Sequence, residues 1–300
     1  MPPLDDGILL PIHAGKSISS LKLKMQADNE VNGEPCDNIS DKNANYNELT
    51  AIYWAWKNIK KLYPDVKYIG IAHYRRFFAF HDRKFFSEEI SRPESEIANY
   101  RITPSELKKI AEVLDAGKII LVKPKVRPVP TFIECRLNWP GKDYGLLKDI
   151  FREKFPDYYD AFISIMEHSN KSSCRNMFIM KYEDFVKYSE WLISLMTEFE
   201  ARLPLAEAYH QRIVGIMSEY LVSIWCKANK KKAKFSEMYF YEEDKDFKPV
   251  KKFLVPFYFI VRLAMYLRRE LIASLMAQNF TWRLKKLIKK CGRNLKSNRD

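Results

Sequence analysis

The stretch Asp37–Phe78, DNISDKNANYNELTAIYWAWKNIKKLYPDVKYIGIAHYRRFF, constrains the fold more than any other. Asn45 with Glu48 three residues on reads as a capped helix start. Leu49, Ile52, Tyr53, Trp56 and Ile59 then recur at the spacing of one helix face. After a Pro-Asp turn, Tyr68–Ala72 (YIGIA) reads as a short buried strand, so His73, Tyr74, Arg75 and Arg76 emerge at its C-terminal end. Ligands of open α/β sheets sit at that end of a strand.

A second unit of the same kind follows. Thr103-Pro104-Ser105-Glu106 starts a helix, with Thr as N-cap, Pro in the first turn and Glu completing a capping box; Leu107, Ile110, Ala111 and Leu114 form its apolar face. Gly117 ends it, and Lys118–Val122 (KIILV) reads as a strand. Helix, glycine and strand in that order support an α/β sheet. Elsewhere the patterns are plainer. Residues 16 to 36 read as a polar loop with a short helix, 79 to 102 as charged and irregular, and the Pro-rich 123 to 142 as an extended loop across the sheet. Helices are expected over Tyr144–Lys154 and Tyr158–Glu167, and then with Phe185, Tyr188, Trp191, Leu192, Leu195 and Phe199 on the inner side. A last helix of the body, from about Glu207 to Lys227, would bury Ile213, Ile216, Met217, Tyr220, Leu221 and Ile224. Asp5-Asp6-Gly7, which follows two prolines, reads as a turn and not as a metal-binding pair.

DNIS (Asp37–Ser40), KN (Lys42, Asn43), NYNELT (Asn45–Thr50), YWAWKN (Tyr53–Asn58) and HYRRFF (His73–Phe78) together closely resemble the signature of a bacterial family of capsular and exopolysaccharide biosynthesis proteins regarded as glycosyltransferases. Echoes at NMFIMK (Asn176–Lys181), EWL (Glu190–Leu192) and RIVGIMSEYL (Arg212–Leu221) extend the resemblance over roughly residues 8 to 227. It implies a nucleotide-sugar-dependent transferase with a GT-A-like α/β fold, a nucleotide-sugar-binding sheet flanked by helices. Some relatives look like galactofuranosyltransferases. Members usually begin with a strand ending in a Thr-His-Lys-like motif, ahead of a segment like Ile8–Gly15; this chain starts just after that place. The expectation is a donor site open on one side, and an alternative reading as a catalytically inactive, membrane-bound partner of a polysaccharide assembly complex. Relatives also tend to carry Tyr and His where this chain has Trp139, which points to a different acceptor.

Charge separates body from tail. The chain carries a net +13, but residues 251 to 300 hold 13 Lys and Arg against 2 acidic residues, which leaves 38 against 36 in the rest. A nearly neutral body argues against a nucleic-acid-binding protein and places the anionic partner at the C-terminus. Phe253–Leu267 is apolar but interrupted by Pro256 and Arg262, and Arg283, Lys286, Lys290 and Arg293 recur opposite Leu284, Leu287 and Ile288. The expected organisation is a transferase domain over residues 1–249 and a helical, basic amphipathic tail over 250–300 that anchors to anionic lipid at the inner face of the cell membrane. An interaction helix or a solvated tail is the alternative. Five scattered cysteines without a CxxC pair fit free thiols in a cytoplasmic protein. Neither a signal-peptide pattern nor a spanning apolar run of about 20 residues is found.

Glycosyl transfer needs a cradle for the base and diphosphate, positive charge on the leaving group, and a base for the acceptor hydroxyl. GT-A enzymes commonly place an Asp-x-Asp pair at a central strand end to hold a metal; His73-Tyr74-Arg75-Arg76 stands at the analogous place here. Arg75 or Arg76 is the expected diphosphate contact, since a guanidinium matches phosphate oxygens directly, with His73 a metal ligand or a phosphate donor. Alternatively the arginines pair with nearby carboxylates and His73 is a core histidine. Asp37, Asn38, Ser40, Lys42, Asn43 and Tyr46 form the rest of the expected donor site, ahead of a helix N-terminus that suits an anion or ribose, unless they serve only as loop and cap. Glu48 reads as structural. Glu219, through its place in the family motif, is the expected catalytic base, with Arg212 on the same helix face; a surface salt bridge is the alternative for Glu219. Arg212 and Asn176 are the expected acceptor-side residues. The cofactor set is a UDP-sugar, with Mn or Mg left open, and the partner is a lipid-linked glycan acceptor. No Walker loop, GxGxxG, HExxH or GxSxG motif is present, and nine glycines make a Gly-rich phosphate loop an unsuitable reading.

Overall fold

The structure is a computed structural model that describes residues 7–80, 89–127, 129–138, 142–173, 175–203, 212–246 and 271. The chain divides into two units, Met1–Pro124 with Ser173–Pro249, and Lys125–Ser172 with Val250–Asp300. Asp5, Asp6, Trp139, the basic tail apart from Leu271, and the expected boundary at residues 249 and 250 lie outside the described residues.

The first unit is built on a six-stranded mixed sheet. Its strands are β1 (Tyr68–Ile71), β2 (Arg76–Ala79), β3 (Glu89–Pro93), β4 (Ile119–Val122), β5 (Phe178–Lys181) and β6 (Ala233–Glu242). They run in the order β1-β5-β4-β6-β2, with β3 also on β6. β5 is antiparallel to both β1 and β4, while β6 runs parallel to β4 through Ala233–Ser236 and then antiparallel to β2 and parallel to β3. Only the four residues from Ala72 to Arg75 connect β1 and β2, the two ends of this order. His73 and Arg76 are bridged, so the connection reaches roughly 12 Å at ordinary chain dimensions. A flat sheet would set those ends four strand spacings apart, roughly 19 Å. The sheet therefore curls, and His73–Arg76 sits where its ends approach.

Strand alternation explains how both faces are covered. Phe78 and Met238 join Ile110 and Leu114 of α3 (Pro104–Asp115), with Ile120, Val122 and Ile179, in one core cluster. Their neighbours Phe77, Ala79, Tyr239 and Tyr241 join Ile90, Ile97 and Tyr100 in another. On β5, Phe178 packs against Phe185 and Tyr188 of the long helix α7 (Tyr182–Arg202). Burial of each such large apolar side chain contributes roughly 1.5–3 kcal/mol. The second unit, as described, packs α4 (Thr131–Asn138), α5 (Lys142–Lys154) and α6 (Pro156–Met166) around Leu147, Phe151 and Phe162, beside a short ladder of Lys125–Val126 with Lys171–Ser172.

The Thr103 capping box forms as expected, with Thr103 N donating to Glu106 Oε2 at 2.8 Å and Gly117 ending the helix at φ 73°. The one expected at Asn45 does not. A one-turn helix α1 (Asn43–Tyr46) contains Asn45, Asn47 breaks it at φ 49° and ψ −128°, and α2 (Leu49–Leu62) starts without a side-chain cap. The helix expected over Glu207–Lys227 is likewise two, α8 (Ile213–Ser218) and α9 (Leu221–Ala228), with residues 204–211 outside the described ones. Its break falls at Glu219–Tyr220, and Ile216 is only half-buried. β3 and a 3-10 turn at Glu94–Asn99 occupy the stretch expected to be irregular, α4 occupies part of the expected Pro-rich loop, and β6 has no counterpart in the sequence reading.

The two broken helices interlock. Asn47 Oδ1 accepts from Arg212 Nε at 3.1 Å, and Asn45 Oδ1 accepts from Arg212 N at 3.2 Å. Gly215 lies so close beneath that an added Cβ would stand 2.1 Å from Asn47 Nδ2. Gly215→Ala is therefore expected to lower stability by about 1–3 kcal/mol. Asn47→Gly keeps the positive φ and clears the contact, so in the double variant it should return part of that loss in urea unfolding. Strictly additive losses would refute the interlock.

Candidate active site

Backbone geometry sets the first part of the site. His73 N donates to Arg76 O and Arg76 N to His73 O, both at 3.0 Å, which makes Tyr74 and Arg75 the tip of a tight turn. Tyr74 is exposed there. Arg75 lies over its ring at 5.0 Å and pairs with Glu243 at 3.8 Å, at the rim. Arg76 opens β2 and turns inward: its guanidinium lies 5.3 Å from the Phe240 ring centre, and its enclosed Nε has no hydrogen-bond partner. The His73 ring bonds to the Arg175 backbone, and its Nε2 is enclosed and unpartnered. Burial holds the His73 pKa below that of an ordinary histidine; Glu48 opposes this, and Arg76 and Arg175 reinforce it. His73 is a neutral imidazole at pH 7.

The entry to β5 supplies the second part. Arg175 and Asn176 both hold positive φ, 87° and 49°, and present their side chains on different groups. Arg175 Nη2 bonds to Glu89 Oε2 of β3 at 3.0 Å. Asn176 is fully buried, and its Nδ2 donates both to Glu48 Oε1 at 2.8 Å and to Ser218 Oγ at 2.7 Å, while its Oδ1 has no partner. Glu48 thus belongs to the site and does not cap Asn45.

Glu219 follows Ser218 at the break between α8 and α9. Burial raises its carboxyl pKa to about 7, and the neighbouring Glu48 adds to the rise. Arg76, Arg175 and Arg212 pull the other way without winning. Arg212 is exposed, at φ 75° just ahead of α8. It reaches this neighbourhood from a left-handed turn and not from the continuous helix face expected. The cluster therefore holds two carboxylates, three guanidiniums, a neutral imidazole and a buried amide, drawn from five segments of the first unit.

The remaining expected donor residues belong to a second network. Asp28 is fully buried and accepts from Gly15 N at 2.7 Å, Lys16 N at 3.1 Å and Ser40 Oγ. Asn38 Oδ1 accepts from Ser40 N at 3.0 Å, and Asp37 Oδ1 accepts from Tyr53 OH at 2.9 Å. Asn43 Nδ2 donates to Asn47 O at 2.7 Å, which braces the break beside the cluster. Lys42 Nζ and Tyr46 OH share Glu200 Oε2, at 2.7 and 3.0 Å. The loop is thus first a scaffold, holding the start of α2 and with it Glu48. Among the described residues no three His, Cys, Asp or Glu side chains group as a metal site. Arg175 carries no signal in the sequence beyond its place before Asn176. Glu48 is hidden there by a spacing identical to a capping box.

The fold recurs in a known structure. A solved structure of WbbM, a bifunctional glycosyltransferase in its apo form, matches with a TM-score of 0.65 and 26% identity over 84% of this chain. The chain spans about half the length of that protein, 46% of it. No curated protein matches the chain. The family model described as Domain of unknown function (DUF4422) matches residues 1–231, and the chain is a member of that family.

Proposed function

We propose that this protein is a glycosyltransferase in which Glu219 removes the proton of an acceptor hydroxyl while arginines receive the leaving diphosphate. The observation that carries the reading is the position of Glu219: a half-buried carboxyl whose pKa is about 7, beside a second carboxylate and three guanidiniums. A general base works best when its pKa lies near the working pH. Fixed guanidiniums in a water-poor site stabilise the charge that appears on a departing phosphate without reorganising. In the step, the acceptor O–H bond breaks toward Glu219, its oxygen bonds to the anomeric carbon, and the bond from that carbon to the phosphate oxygen breaks. Arg76 and Arg175 are assigned to the diphosphate, and Arg212, which is exposed, to the acceptor or an outer phosphate. The likeness to WbbM supports the same class of chemistry.

The finer reading is that the donor is a UDP-sugar, galactofuranose among the candidates, and the acceptor a lipid-linked glycan of capsule, exopolysaccharide or O-antigen synthesis. The nucleoside is assigned to the loop from Asp37 to Asn43. Lys42 is the loop side chain best able to change partner, since an exposed pair such as Lys42–Glu200 contributes about 0–1 kcal/mol. The basic tail is proposed as the contact with an anionic membrane at the cytoplasmic face. Among the described residues no helix is long and apolar enough to cross a membrane.

Incubation with a panel of UDP-sugars should release UDP with one donor, and the rate should rise as pH passes through about 7 and then level off, as Glu219 ionises. Glu219→Gln should cut this rate by roughly 10²–10⁴-fold with little change in donor affinity. Silence across the panel would move the reading to a non-catalytic partner of an assembly complex.

The same carboxyl carries a stability signature. Its folded pKa, about 7, exceeds the ordinary 4.5, so its protonated form favours the fold below pH 4.5 and that contribution is lost as pH rises through 7. Glu219→Gln should leave stability unchanged near pH 4 and raise it by about 2–3 kcal/mol at pH 8, measured by urea unfolding. Equal stability of the two proteins at pH 8 would mean that Glu219 is solvated and unsuited to the role.

A further inference from the structure

Resting on the transferase reading, hydrogen bonding inside the cluster specifies which part of a substrate its imidazole and amide receive. Three enclosed side-chain atoms of the cluster are unpartnered: His73 Nε2, Asn176 Oδ1 and Arg76 Nε. What each can offer a ligand is settled at the far end of its own group. The bond between the His73 ring and the Arg175 backbone favours the protonated nitrogen, so a ring N–H donates there to the carbonyl. Because Nε2 is unpartnered, that N–H is Nδ1, and in the neutral ring Nε2 keeps only a lone pair. Asn176 is fixed in the same way. Both hydrogens of its Nδ2 are used, on Glu48 Oε1 and Ser218 Oγ. A flipped amide would turn Oδ1 against the Glu48 carboxylate, so Oδ1 faces away as an acceptor.

We propose that His73 Nε2 and Asn176 Oδ1 form a hydroxyl-receiving subsite, which accepts O–H donors from a sugar ring, while Arg76 Nε receives a phosphate oxygen. The two acceptors are close in the chain's connectivity, since His73 is held on the carbonyl of Arg175 and Asn176 is the next residue. An ionised diphosphate has no hydrogen to give either of them, and its oxygens would face their lone pairs. A sugar hydroxyl donates to such an acceptor and leaves its own oxygen free to accept from Arg76 or from Glu219 when protonated. His73 is thereby a recognition residue for a neutral polyol and neither a phosphate contact nor a metal ligand. The hydroxyls belong either to the transferred sugar or to the acceptor sugar, which binding can separate.

The test uses the full chain and four variants, His73→Ala, His73→Gln, Asn176→Gly and Arg76→Ala. Calorimetry measures binding of UDP, UDP-glucose, UDP-galactose and UDP-galactofuranose, and saturation-transfer NMR measures binding of methyl galactosides. If the subsite holds the transferred sugar, His73→Ala and Asn176→Gly should bind UDP within twofold of wild type and lose at least tenfold in affinity for the UDP-sugar. If it holds the acceptor, the tenfold loss should appear with the methyl glycoside and spare both nucleotides. In either arm His73→Gln, whose amide oxygen can accept, should recover part of the loss, and Arg76→Ala should weaken UDP and UDP-sugar alike. Glycine keeps the positive φ of Asn176, and the His73 variants carry the test should Asn176→Gly not fold. Equal losses for UDP and UDP-sugar in His73→Ala would overturn the proposal, as would no loss with any sugar ligand. Wild-type protein that binds no nucleotide would overturn the transferase reading instead; the glycoside arm then decides the subsite, and absence of binding there overturns it as well.

Discussion

The amide of Asn176 holds together parts of the chain that nothing local would unite. Its two hydrogens reach Glu48 at the start of α2 and Ser218 at the end of α8, 128 and 42 residues away. Immediately before it, the Arg175 backbone anchors the ring of His73 from the end of β1. A buried amide hydrogen left without its acceptor costs about 1–3 kcal/mol, and here two are committed at once. Correct placement of Glu48, Ser218 and therefore Glu219 follows from satisfying one side chain. The curl of the sheet does the complementary task by delivering His73 and Arg76 to the same place.

Electrostatics then decides how that place behaves. Three guanidiniums beside one carboxyl would ordinarily hold it well below its usual pKa, since an opposite charge favours ionisation. Here burial and the second carboxylate of Glu48 outweigh them, and Glu219 lies near neutrality. Arg175 is also paired with the Glu89 carboxylate, which offsets part of its charge. On the proposed reading, a site with opposing charges suits a ligand that brings both negative charge and hydroxyl donors.

Much of the fold was legible because its signals are local. The capping box at Thr103, the apolar faces of α2, α3 and α7 and the strands at Tyr68 and Ile119 depend on residues within a few positions of one another. β6 was not legible because it is covered on both faces along Met238–Tyr241, which removes the alternation that marks a half-buried strand. α4 lay in a window dominated by prolines, and its pattern was read as extended. At the candidate site the residues His73, Arg76, Asn176, Arg212 and Glu219 were named, but their meeting was not, since it depends on contacts across more than 100 residues. Glu48 shows the limit most clearly: Asn-x-x-Glu is a capping signature, and only the break at Asn47 turns that glutamate inward.

The breaks themselves follow a rule. Six described residues other than glycine hold a positive φ, and four of them, Asn47, Arg175, Asn176 and Arg212, surround this cluster. Each conformation costs on the order of 1–3 kcal/mol unless its surroundings fix it, and asparagine tolerates it best, which fits two of the four. Regular alternatives were available. A helix capped at Asn45 and continuous to Leu62 would have avoided the strained backbone at Asn47, but it would have left Glu48 on a capped first turn and Asn47 unable to grip Arg212. The observed chain instead concentrates its local strain where these segments must aim polar groups at one another, and the packed sheet and α7 supply the stability that holds it there. Strain concentrated at one cluster, with enclosed atoms still unpartnered there, is the pattern expected of a site shaped for a ligand and not for the free protein.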